Sequence, residues 1–199
     1  MLEPDPFPGA DETVDNGPRR SRLAPFIVVI VAALLAGLFV VFAGSEPATN
    51  DTADTYLRDR PAPEAVGTLT DGEPFDLGRR RGSWVVLNFF TSDCIPCVQE
   101  HPELVAFAEQ QAELGVQGAE LYTIVYDDDR ARVEAFFEEN GGEWPVVYDE
   151  RGAIAVNFGV SKVPETWVID PYGVVRQRYI SRVTADFLGT QLQAMREAL

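Results

Sequence analysis

Cys94 and Cys97 are the only cysteines of the 199-residue chain, and they stand in a Cys94-Ile95-Pro96-Cys97 motif between an apolar run and the start of a helical pattern. At a helix N-terminus the unpaired backbone amides and the helix dipole favour a thiolate, the species that attacks a disulfide. That position makes Cys94 the expected nucleophile and Cys97 the residue that resolves a mixed disulfide. Three other readings compete. A stapling disulfide here would remove only about 2 kcal/mol of unfolded-state freedom, against about 5 for a loop of roughly 100 residues. A zinc site usually takes four Cys or His ligands, and the chain adds only His101 to its two cysteines. Two inert core thiols would be the default for isolated cysteines. Proline inside a Cys-x-x-Cys at a strand-to-helix junction is more specific than that default. The motif therefore favours a redox pair, with no metal and no cofactor beyond the Cys94-Cys97 disulfide.

The elements that must hold this pair follow from periodicity. Trp84-Val85-Val86-Leu87-Asn88-Phe89-Phe90 is almost unbroken and apolar, as in a strand buried on both faces. After the motif, Leu104, Phe107 and Ala108 recur at i, i+3, i+4, predicting a helix that contains Pro102 and ends near Leu114-Gly115. Leu121–Val125 predicts a second strand, followed by Asp127-Asp128-Asp129 and a helix with Val133, Phe136 and Phe137 on one face. Strand, helix, strand, helix implies a parallel pairing. Three consecutive aspartates cannot all face one ion, and carboxylates at a helix start suit its dipole, so capping is favoured over metal binding. Residues 65–77 read as a small hairpin turning at Asp71-Gly72. Glu165–Asp170 and Val174–Ile180 form an antiparallel hairpin around Asp170-Pro171-Tyr172-Gly173, and Leu188, Leu192, Met195 and Leu199 mark a closing helix.

The ends of the chain are different in kind. Residues 1–22 are rich in Pro, Gly and acidic side chains without apolar periodicity, the composition of a disordered tail. Leu23 to Ala43 carries no charge and is about as long as the ~20 residues a transmembrane helix needs. A cleavable signal peptide is the competing reading, but its apolar region is typically about 7–15 residues. Arg19, Arg20 and Arg22 precede the run, so the positive-inside bias places the N-terminus in the cytoplasm and the later chain outside a cell membrane crossed once. Residues 44–61 read as a flexible, solvated linker, and 62–199 as one domain. That domain carries 23 acidic and 11 basic residues, within a formal charge of -16 for the whole chain, which argues against a nucleic-acid partner.

Over that whole domain the sequence resembles the thioredoxin-fold proteins of cytochrome c maturation, the ResA, CcmG and TlpA group. Val86-Leu87-Asn88-Phe89-Phe90 before the motif, the motif itself, Glu100, Pro102 and Glu103-Leu104 carry the likeness, with Gly159-Val160, Val163-Pro164-Glu165-Thr166, Val168-Ile169-Asp170 and Gly173 further on. The resemblance implies an α/β thioredoxin-like fold, a central mixed sheet flanked by helices, here preceded by one transmembrane helix. It implies a cis peptide at Pro164, which with Val163 forms the groove for a substrate's cysteine segment. Taken alone, Pro164 reads as a strand-edge residue. Glu100 matches an acidic residue that tunes the thiols and moves protons; taken alone, a solvated helix face is an equal reading. The family usually has tryptophan before its first cysteine, and this chain has Asp93. An aspartate beside Cys94 disfavours the thiolate, which moves the couple toward reducing by about 30 mV for each pKa unit.

These features together predict a membrane-anchored extracytoplasmic thiol:disulfide oxidoreductase. By resemblance its partners are a protein disulfide substrate, apocytochrome c, reduced before haem attachment, and a membrane thiol electron donor. Competing readings are a disulfide-forming oxidase, a peroxiredoxin-type peroxidase with Thr91 near Cys94, and a tethered binding module with incidental thiols.

Overall fold

In the computed structural model residues 24–43 and 51–199 are described, with side chains for 26–38 and 53–199. The tail expected over 1–22 and linker residues 44–50 lie outside them. The chain divides into two units, residues 1–46 and 47–199. In the first, Ala24–Ala43 forms helix α1. Among the residues whose side chains are described, which in α1 are 26–38, no helix is long and apolar enough to cross a membrane.

The second unit is built on one eight-stranded mixed sheet: β1 (Asp51–Thr52), β2 (Val66–Leu69), β3 (Pro74–Asp76), β4 (Val85–Phe90), β5 (Glu120–Val125), β6 (Val146–Tyr148), β7 (Glu165–Ile169) and β8 (Val175–Ile180). Across the sheet they run β1-β8-β7-β4-β5-β6-β2-β3. The apolar run ahead of the cysteines is the central strand β4, every residue buried, parallel to β5 and antiparallel to β7. Helices α2 (Ile95–Glu113), α3 (Arg130–Asn140), α4 (Ala153–Phe158) and α5 (Ala185–Glu197) complete the unit.

Side-chain alternation along β4 divides the core. Val85, Leu87 and Phe89 face one cluster with Phe75, Trp167 and Phe158, while Val86 joins Leu104, Phe107 and Leu188 of α2 and α5 on the other face. Asn88 has the parity of Val86, so it points to the α2 side. That parity matters below.

Two expectations change. The linker expected over 44–61 is folded from Asp51 onward: Asp51 and Thr52 pair with Ile180 and Tyr179, Leu57 is buried, and Pro61 bridges to Val174. This segment docks by backbone hydrogen bonds along the free edge of β8, such as Asp59 N–H to Val175 O at 2.8 Å, and needs little apolar sequence to do so. Leu199 lies beyond the end of α5 and is exposed, whereas Leu188 and Leu192 are buried as expected. Strand β6, which lies between β5 and β2, and helix α4, which adds Ile154, Ala155 and Phe158 to the cluster around Trp167, were announced by no periodicity.

Candidate active site

β4 delivers the motif and a tight turn sets it. Cys94 N–H donates to Thr91 O at 3.3 Å, closing residues 91–94. Cys94 then takes an extended conformation as the N-cap of α2, and its Sγ accepts from the Cys97 N–H at 3.1 Å. Pro96 falls in the first turn, where a missing N–H leaves no helical bond unmade. Cys94 and Cys97 form a disulfide. Cys94 is half-buried and Cys97 is 1% exposed, so only the first sulfur is open to a partner. Exposed Ile95 and Val98 flank it with apolar surface.

One turn along α2 from Cys97, on the same buried face, lies Glu100. It is not on a solvated face: it is 1% exposed. Asn88 Nδ2 donates to its Oε2 at 2.9 Å, and Val183 N–H donates to its Oε1 at 2.7 Å. Asn88 also donates to Thr166 Oγ1 at 3.1 Å, its direct partner across the β4–β7 pairing. Burial pushes the Glu100 carboxyl up to about 7, against the opposing pull of the Val183 and Asn88 hydrogen bonds and of the Arg182 charge. A group with that affinity exchanges its proton at neutral pH.

The Val163-Pro164 peptide is cis, as the family resemblance implied. Pro164 is buried, and its carbonyl accepts from Ser181 N–H at 3.1 Å. Val163 and Cys94 both pack against the cluster that contains Cys97, Phe90 and Val125, which brings this loop and the disulfide onto one patch. Behind the loop, fully buried Glu165 accepts from Arg178 Nε and Nη2, both at 2.9 Å, and from Trp167 Nε1 at 2.7 Å. Asp93 is exposed and accepts from the Thr91 hydroxyl at 2.9 Å. His101 is buried among Phe136, Phe137 and Trp144, its Nε2 is 2.9 Å from Gly141 O, and burial lowers its pKa, which makes it a neutral core residue.

Residues 59–178 match the AhpC/TSA family. The thiol-disulfide oxidoreductase ResA of Bacillus subtilis is 30% identical over 150 residues, covering 75% of this chain and 78% of the relative. The chain belongs to this family of thiol-disulfide oxidoreductases. The thiol:disulfide interchange protein DsbE of Vibrio cholerae is 27% identical over 80% of this chain and 86% of its own length. A crystal structure assigned as a DsbE from Chlorobium tepidum shares the fold, with a TM-score of 0.59 at 24% identity over 74% of this chain and 98% of that one.

As a member of that family the chain is an enzyme whose redox-active group is its own disulfide. Periodicity missed several groups around it: Asn88, Thr166, the Val183 N–H, Arg178 and Asp128. Asn88 was the legible one, because a single amide in a strand buried on both faces must find partners. Asp129 caps α3 as expected, accepting from Arg132 N–H at 3.2 Å, but Asp128 turns toward the cysteine loop and accepts from Ser92 N–H.

Proposed function

We propose that the chain is a single-pass, membrane-anchored protein with its N-terminus in the cytoplasm and its oxidoreductase unit outside, reducing disulfides of apocytochrome c before haem attachment. The uncharged run 23–43, its helix α1 and the preceding arginines support the anchor. In the reductive cycle the Cys94 thiolate attacks one sulfur of the partner's disulfide, forming a mixed disulfide and releasing the partner's other sulfur as a thiolate. Cys97 then loses its proton and attacks Cys94 Sγ, forming the intramolecular disulfide and releasing the second partner thiol. Two electrons pass to the partner, and a membrane thiol donor restores the pair.

Buried Glu100, with its carboxyl near 7 on the same helix face as Cys97, supports the thiol-disulfide exchange in this reading. Cys97 is out of reach of bulk water and must lose a proton before it can resolve, and Glu100 is the titratable group one turn away on its own face. Val163 and Pro164 supply the groove for the substrate segment, and exposed Asp93 lies at its rim. An oxidase would use the same atoms in the reverse sense.

Replacing Cys97 with Ala in cells traps whatever Cys94 has attacked. Recovery of an apocytochrome c or a membrane thiol protein on Cys94 is the expected result. A collection of unrelated secreted proteins would replace this reading with general oxidative folding.

A further inference from the structure

Asp128 stands just past the end of β5, outside the motif, yet one of its carboxylate oxygens reaches across to the loop that holds the motif. Its side chain is 1% exposed. Oδ2 accepts from the Ser92 N–H, and the Ser92 hydroxyl adds a second bond. Oδ1 accepts from Asp129 N–H at 2.7 Å and from Arg132 Nη2 at 2.8 Å. The cost of burying the carboxylate is outweighed by these donors, so its pKa lies below the ordinary value and it stays charged. Ser92 is the second residue of the turn that Cys94 N–H closes on Thr91 O, and a buried charge gripping an N–H in that turn leaves it little freedom. Asp93, the residue that departs from the family, is exposed and accepts from the Thr91 hydroxyl.

We propose that Asp128 is a positioning residue for the redox pair: by holding Ser92 it fixes the 91–94 turn and keeps Cys94 Sγ where the Cys97 sulfur reaches it. This rests on the reading of Cys94 and Cys97 as a working pair. A fixed turn raises the effective concentration of one thiol at the other, and so favours the intramolecular disulfide. The grip and the charge can be separated. Asp128→Asn keeps a carbonyl oxygen for Ser92 N–H and removes the charge, whereas Asp128→Ala removes both.

The test is the equilibrium of the full chain with reduced and oxidised glutathione. Asp128→Ala is expected to lower the equilibrium constant for the Cys94–Cys97 disulfide about tenfold, a shift of about 30 mV toward oxidising. Asp128→Asn should stay within threefold of the unmodified chain. A folded Asp128→Ala within twofold of the unmodified chain would reduce Asp128 to a support for α3. An equal shift in both variants would assign the effect to charge and overturn the positioning role. In the unmodified chain the Ser92 amide should exchange slowly with solvent; exchange at the rate of a free loop amide overturns the grip even if Asp128→Ala fails to fold. An unmodified chain that never equilibrates with glutathione would instead overturn the redox reading itself.

Discussion

Glu100 on α2 and Glu165 on β7 are both buried, yet the hydrogen bonds to Glu100 come from the neutral donors Asn88 and Val183, whereas Glu165 is held bidentately by the Arg178 guanidinium. Asp170, on the same hairpin as Glu165, repeats the second pattern, with Arg176 at 2.7 Å and the Tyr172 and Val174 amides on its other oxygen. The partner decides the outcome. A guanidinium stays protonated throughout the physiological range, so an acid paired to it is a fixed half of a structural ion pair. An acid hydrogen-bonded to dipoles, with the Arg182 charge adding a weaker pull, has its desolvation incompletely offset, and for Glu100 the balance brings its proton affinity close to neutral pH. The hairpin acids are fixed in ion pairs, whereas the acid on α2 has a proton affinity close to neutral pH.

Breaking the structural side should have the largest effect on stability. Glu165→Ala strands the mostly buried Arg178 and the Trp167 N–H, and should cost about 3–5 kcal/mol, seen as a fall of roughly 10 °C or more in the melting temperature. That loss should be much the same at pH 6 and pH 8. Survival of the variant at near-normal stability would remove the contrast.

The α2 side should instead show its character through pH. Glu100 binds its proton more tightly folded than unfolded, so its contribution to stability is fully present below pH 4.5 and is lost as pH rises through about 7. By pH 8 the loss amounts to about 3 kcal/mol. Glu100→Gln should abolish this slope in denaturant titrations between pH 4.5 and 8; an unchanged slope would place the titrating group elsewhere. Asn88→Ala removes a donor to the charged form and should cost about 1–3 kcal/mol at pH 8 and less at pH 5. An equal cost at both values would confine Asn88 to packing. The smallest effect belongs to Asp93, which is exposed and screened by water. Asp93→Asn should move the pH midpoint for Cys94 ionisation by less than roughly 0.5, and less still in high salt. A larger shift would support the effect on the thiolate that the sequence suggested for Asp93.

The contrast between the two regions was only partly legible in the sequence. β4, α2, β5 and the β7–β8 hairpin follow from local periodicity, because each buries a continuous apolar face. The edge strand β1 and the short β6 do not: their pairing is decided by the backbone edges of β8, β5 and β2, which no local pattern encodes. Helix α4 spans only Ala153–Phe158, between left-handed Gly152 and Gly159, too short for a period to declare itself. At the site, Cys94, Cys97, Glu100, Val163 and Pro164 were marked by motif and resemblance. Glu100 owes its raised affinity to burial, held in check by Asn88 twelve residues earlier and the Val183 amide 83 residues later, an environment that exists only once the sheet has formed. Asp128 read as one cap among three aspartates, and only the folded chain shows it aimed at Ser92.

The most direct test of the proton-exchanging role is the rate at which Cys97 resolves a preformed mixed disulfide on Cys94, measured from pH 5 to 9 in the full chain and in Glu100→Gln. The unmodified chain should show a limb centred near pH 7. Glu100→Gln should lack that limb and resolve roughly 100-fold more slowly at neutral pH. Identical profiles in the two proteins, both following a single ionisation of Cys97, would contradict the account and return Glu100 to the class of buried structural acids.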